Sequence, residues 1–295
     1  MSARTLSLRK AIRWFGLMVV VALSTPSATL AADQVVQDDR APKPSYRLGV
    51  FPYLPALTID RLYGPVAEAF SFELDRLVKL RTKTTFESFE TAMADQSYDI
   101  IFVHPFFLVE AMDRHGYMPL ARLAKPLTAI LTVRDDSPAT SLHDLVGGTI
   151  GLPPKLAAVS DLIRAALIDA KLRPGLDVGI RHFRNKASCL QAVLTGAVNT
   201  CGLPAFVLSQ VVDFGEHALR TVFKTPPVSH FAFAVHQRVP EEERQKLQDL
   251  LLSWSDIDSE VVQLMGLNQG FVQAHPEDYA DVRARKAHLQ MLAQR

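Results

Sequence analysis

The chain has 295 residues, with 32 Lys and Arg against 31 Asp and Glu, so its formal charge is close to zero. A balanced surface lacks the basic face that nucleic-acid binding needs, which excludes that class. The length suits one large domain or two lobes with cores of their own, and no run after the N-terminus reaches the roughly 18 apolar residues of a membrane span.

In chain order, Arg4, Arg9, Lys10 and Arg13 form a basic start. Trp14–Leu23 is a short apolar stretch, and Thr29 and Ala31 suit the small positions of a cleavage site. This is the pattern of a secretory signal peptide over residues 1–32, cleaved on export, with an uncleaved anchor as the alternative. No Cys follows the apolar stretch, so lipoprotein anchoring is not expected. Residues 33–45 carry two prolines among polar residues and read as a linker.

The folded part opens with a strand at Tyr46–Phe51. Apolar residues at helical spacing follow (Leu62, Val66, Ala69, Phe70, Leu74, Leu77), then a strand at Val78–Thr84 and a helix at Phe86–Ala94. Tyr98–Val103 (YDIIFV) is apolar throughout, as a strand buried on both faces should be. A helix at Phe106–His115 and strands at Met118–Leu123 and Thr128–Arg134 come next.

From residue 140 the alternation repeats. Strands are expected at Thr149–Leu152, Val178–Phe183, Val198–Gly202, Leu219–Phe223 and Phe231–His236. Helices are expected at Ala157–Ala170, Ala187–Leu194, Pro204–Val212, Glu241–Trp254, Ser259–Leu267 and Asp278–Leu292. Repeated strand–helix units imply sheets covered by helices. The expected architecture is an α/β clamshell: one discontinuous lobe from 46–130 and 231–295, a second from 131–230. Segments 128–134 and 230–237 would join them as hinges, with the ligand beyond the carboxyl ends of the strands, between the lobes.

The two cysteines, Cys189 and Cys201, both fall in the exported part, where thiols pair, and a disulfide is expected between them. Free thiols or a soft-ligand site are the alternative. No CxxC, HExxH, GxSxG or P-loop pattern is present, so no metal, cofactor or catalytic group is expected.

The segments GVFPYLP (Gly49–Pro55), YDIIFVHPFFLVEA (Tyr98–Ala111), VRDDS (Val133–Ser137), SLHDLVGGTIGLP (Ser141–Pro153) and LQAVLTGAVNTCG (Leu190–Gly202), in this order and spacing, resemble the phosphonate/phosphate/phosphite-type periplasmic solute-binding proteins. The resemblance implies a type II clamshell that captures a small oxyanion or organic anion and delivers it to an ABC importer. There are departures. Where the family carries a Ser-Thr-Ser-Gly-like turn, this chain reads PPKLAAVSDL (Pro153–Leu162). A Ser-His-acid cluster is replaced by NKASC (Asn185–Cys189), an acidic residue by Asn199, and the Gly before Pro105 by His104.

An oxyanion site needs hydrogen-bond donors aimed into the cleft, and helix N-termini supply them. Two are placed for this, near Ala157–Ser160 and near Ala187–Cys189, with Ser160 and Ser188 adding hydroxyls. His104 sits at the carboxyl end of a buried strand, followed by Pro105 and Phe106; Tyr53 shares that rim, and Thr128 and His230 mark the hinge edges. The ligand is therefore expected between His104 and the Ala187–Cys189 helix start. The expected protein is a monomer working with an ABC permease. Service as a ligand-binding accessory to a membrane sensor kinase is the alternative, and an enzyme using the cleft is a more distant one.

Overall fold

The computed structural model describes residues 44–208, 219–255, 262–263 and 269–293. The expected signal peptide and nearly all of the linker lie outside these residues, as do most of the expected helix at Ser259–Leu267 and the second half of that at Pro204–Val212. Along the chain run β1 (Tyr46–Val50), α1 (Ala56–Leu74), β2 (Val78–Arg81), α2 (Phe86–Ala94), β3 (Ile100–Val103), α3 (Pro105–His115), β4 (Tyr117–Leu123) and β5 (Ala129–Arg134). Then come β6 (Thr149–Leu152), α4 (Ala158–Asp169), β7 (Gly179–His182), α5 (Lys186–Leu194), β8 (Thr200–Pro204), α6 (Ala205–Leu208) and β9 (Leu219–Lys224). The chain returns through β10 (Ala232–His236), α7 (Glu241–Ser253), β11 (Phe271–Gln273) and α8 (Ala280–Ala293).

The strands form two sheets, in the orders β11-β4-β10-β3-β1-β2 and β7-β6-β8-β5-β9. Both are mixed. In the first, β1 pairs in parallel with β2 and β3, while β10 runs antiparallel to β3 and β4. In the second, β6 is parallel to β7 and β8, while β5 is antiparallel to β8 and β9. β11 is antiparallel to β4 as well, and β5 and β10 are the strands next to the crossings: β5 enters the second sheet directly from the first, and β10 makes the reverse journey.

Burial explains the central positions. Every residue of β3 and of β10 is buried, as an element flanked on both edges and covered on both faces requires. Local chemistry sets the helix that carries the site. His104 is the N-cap of α3, Pro105 takes the first turn where its missing N–H costs nothing, and Gly116 ends the helix at φ 69°. Gly49 is required by a close approach instead. A Cβ there would lie 2.6–2.8 Å from three atoms of the Tyr98 ring. Gly49→Ala is expected to cost about 1–3 kcal/mol through overpacking, read as a lower urea midpoint with an unchanged slope.

The two sheets are joined by residues 124–128 and 225–231, not by the segments expected from sequence, because β5 and β10 are full sheet members. The crossings are tied together: Leu127 N–H donates to Val228 O at 2.8 Å and Val228 N–H to Leu127 O at 2.9 Å. Helix α8 packs against both α3, which follows β3 of the first sheet, and α4, which follows β6 of the second, and Arg285 on it stands 3.9 Å from Asp169 on α4. The expected disulfide is present: Cys189 on α5 bonds Cys201 on β8 across a Cα separation of 5.9 Å.

Candidate functional site

Five aromatic side chains gather at the edge of the first sheet and on the crossing before β10. The Phe51 ring lies 5.3 Å from His104 and 5.1 Å from Phe231, and Phe231 lies 4.5 Å from His230. Tyr53 stacks on Phe51 at 4.7 Å. Two histidines therefore stand at the ends of a Phe51–Phe231 pair, all on loops that follow strand ends or precede β10.

The histidine protons can be placed. His104 Nδ1 accepts from Phe107 N–H at 3.3 Å, and His230 Nδ1 accepts from Phe231 N–H at 2.8 Å. With Nδ1 accepting, a neutral ring carries its proton on Nε2. Both Nε2 atoms are buried; His230 Nε2 has no hydrogen-bond partner among the described residues, and His104 Nε2 has only the Leu156 backbone facing it, outside good hydrogen-bond geometry. An unmet buried donor costs roughly 1–3 kcal/mol, so such a pair calls for an acceptor.

Both rings are neutral. Burial, helped by the charge of Lys286 and slightly opposed by the Leu156 backbone, pushes His104 down to about 3; burial alone pushes His230 down to about 3. The unfolded chain takes up these protons near the ordinary histidine value of about 6.5. Between about pH 6.5 and 3 it binds protons that the fold refuses, so stability falls on acidification. Asp161 works in the opposite sense. Burial raises its carboxyl to about 7 against the pull of Arg164 and Lys286, so the fold holds that proton where the unfolded chain has lost it. Melting temperature is expected to drop as pH is lowered through this window, less steeply in His104→Asn and more steeply in Asp161→Asn. Parallel profiles for all three proteins would count against these assignments.

The remaining expected residues fall into place as follows. The Leu156 backbone, just before α4, faces His104 from the second lobe. Ala157, the N-cap of α4, provides no side-chain cap; Ser160 N–H donates to the Ala157 carbonyl at 2.9 Å, which leaves the N–H groups of Ala158 and Val159 to other acceptors. Ser160 is fully buried and donates to the Pro153 and Pro154 carbonyls at 3.1 and 3.0 Å, which shapes this loop. The other helix start is already served: Asn185 Oδ1 accepts from Ser188 N–H at 2.9 Å, and the exposed Ser188 hydroxyl donates back to Asn185. The geometry thus brings His104 toward α4, and nothing pairs it with Ser188.

Pro105 and Phe106 are buried in the first turn of α3, and the Phe106 carbonyl accepts from Lys286 Nζ at 3.2 Å. Thr128 is buried in the crossing, where its carbonyl accepts from Ala205 N–H at 2.8 Å. The Tyr53 hydroxyl meets the Tyr63 hydroxyl at 2.9 Å; burial pushes Tyr53 up to about 12, partly offset by that bond. Sequence reading passed over Phe51 and Phe231 as site walls. The signal for them was their position beside Tyr53 and His230.

Among the described residues no group of three His, Cys, Asp or Glu could hold a metal ion, and no helix is long and apolar enough to cross a membrane. A search of curated proteins returns no match. Solved structures share the fold. A binding protein component of an ABC phosphonate transporter from Pseudomonas aeruginosa is 16% identical, with a TM-score of 0.69 over 84% of this chain and 87% of that one. PhnD1 from Prochlorococcus marinus, solved with methylphosphonate, is 14% identical, with a TM-score of 0.71 over 83% and 98%. A Xanthomonas citri protein solved with ATP is 15% identical, with a TM-score of 0.72 over 85% and 98%. The family model for phosphonate periplasmic substrate-binding proteins of ABC transporters matches residues 48–279, so the chain belongs to that family of periplasmic solute-binding proteins, which are not enzymes.

Proposed function

We propose that this chain binds a small oxyanion or organic anion between His104 on the first lobe and the start of α4 on the second, with His230 at the hinge and Tyr53 on the rim. The observation that carries the reading is the pair of buried Nε2–H donors, that of His230 without a partner and that of His104 met only loosely by the Leu156 backbone. The uncapped start of α4 adds backbone donors and a partial positive charge on the opposite side. The lobes close over the ligand by bending at the crossings, and the loaded, monomeric protein docks on an ABC permease. Residues 1–32 are removed on export, and the lobes divide near residues 130 and 230.

A thermal-shift screen of phosphate, phosphonates, sulfonates and carboxylates on the purified protein tests this. A ligand at a hundred times its dissociation constant stabilises by about 2.7 kcal/mol, which raises the melting temperature by several degrees in a protein of this size. No shift with any anion would defeat the reading.

The second reading, a ligand-binding partner of a membrane sensor kinase, draws support from α8. Its contacts with both α3 and α4 restrain lobe travel, and a receptor with short travel suits signalling better than release into a permease. Small-angle scattering separates the two. A radius of gyration that shrinks with ligand fits transport, and an unchanged one at saturation fits sensing.

A further inference from the structure

Resting on the anion site just described, we propose that its ligand class is the organic monoanion with an apolar body, such as an aryl or alkyl sulfonate or carboxylate, and that compact dianions are rejected. Charge is the first ground. Burial is the sole cause acting on His230, and Lys286 is the one charged group that acts on His104. The Lys286 ammonium is already held, by Glu110 Oε2 at 2.6 Å and by the Phe106 carbonyl. The donors that remain are neutral N–H groups. They satisfy one delocalised negative charge well, but the cations on the α4 side are engaged or solvated: Arg164 stands 3.7 Å from Asp161, and Lys155 is exposed. Asp161, four residues past the α4 N-cap, adds a half-buried carboxyl on that side, and once ionised, above about pH 7, it makes a second negative charge less welcome still.

Shape is the second ground. Phe51 and Phe231 occupy the space between the two histidines, with Tyr53 packed against both. Hydroxyls that would hold further oxygens of a phosphate are spent elsewhere: Ser160 on Pro153 and Pro154, Ser188 on Asn185. A ligand that places its acid on an Nε2–H and an apolar body on the phenyl rings meets every surface on offer.

Calorimetry at mildly alkaline pH tests the claim with matched ligands. Benzenesulfonate and phenylphosphonate share a ring and a tetrahedral head but differ by one charge; methanesulfonate removes the ring, and benzoate replaces the head. Benzenesulfonate is expected to bind at least about tenfold more tightly than phenylphosphonate and than methanesulfonate. The benzoate arm tells a sulfonate site from a carboxylate site, and tight binding of either acid supports the class. Phenylphosphonate or inorganic phosphate binding as tightly as benzenesulfonate would overturn it. His104→Asn keeps the two readings apart. If the dianion binds best and this variant loses it, the site stands and the class falls. If the variant leaves the best ligand unaffected, or no member of the set binds, the site itself falls and the class with it.

Discussion

His104→Asn is expected to weaken anion binding by about 10- to 100-fold, the worth of a hydrogen bond to a charged acceptor at roughly 1.5–3 kcal/mol. The choice of Asn matters. His104 caps α3 through Nδ1, and the Asn side-chain oxygen occupies that place and keeps the bond from Phe107 N–H. What it removes is Nε2, together with ring contacts to Phe107 at 4.2 Å and to Phe51. The lost packing is expected to cost about 1–2 kcal/mol of stability. His104→Gln is the complement. Its amide nitrogen reaches the Nε2 position while the cap is lost, so it should retain more affinity than Asn while being no more stable. Calorimetry and melting curves on both variants decide the matter. Binding that survives in Asn and disappears in Gln would make His104 a structural cap and nothing more.

The second large effect concerns the disulfide. Cys189 and Cys201 are 12 residues apart in sequence, and closing a loop of that size stabilises by about 3 kcal/mol. Both residues are buried, so the double substitution to Ala avoids placing a hydroxyl in the core. A melting temperature lower by about 6–12 °C is expected, at 2–4 °C for each kcal/mol in a chain of this length. The bond ties α5 to β8, and the α5 start has its own cap in Asn185. Anion affinity should therefore be unchanged at a temperature where the variant is folded. A large loss of affinity would move the site from the α4 start to the α5 start.

Much of the fold could be read from residue pattern alone. Tyr98–Val103 announced a strand buried on both faces, and the strand observed at Ile100–Val103 lies near the middle of its sheet between β1 and β10. The Cys pair followed from compartment and count, and the helix expected at Phe106–His115 begins one residue earlier, at Pro105. Hinge placement was not legible. Thr128–Arg134 and Phe231–His236 look like strands because they are strands, and only their pairing with β8 and β3 shows that they belong inside sheets. Those pairings join residues far apart in the chain, which local periodicity does not encode. The site was half legible. His104 and His230 stood out as histidines at strand boundaries, but the buried Nε2 donors depend on which backbone N–H each Nδ1 accepts. The preference for α4 over α5 turned on caps: Asn185 serves its helix, whereas Ala157 has no side chain with which to serve its own.

The paired hydrogen bonds between Leu127 and Val228 have a mechanical consequence. Two separate linkers would let the lobes twist, slide and tilt against each other. Linkers laced together act as one ribbon, stiff to shear within its plane and compliant to folding across it. Motion is thereby funnelled into a single swing about one axis. If the lobes close as proposed, such a hinge would return Leu156 to the same place over His104 each time, and the proposed donors on the two sides would meet an acceptor in the same alignment. Selectivity in a receptor that closed this way would be repeatable because its approach path, and not only its end state, would be built into the backbone.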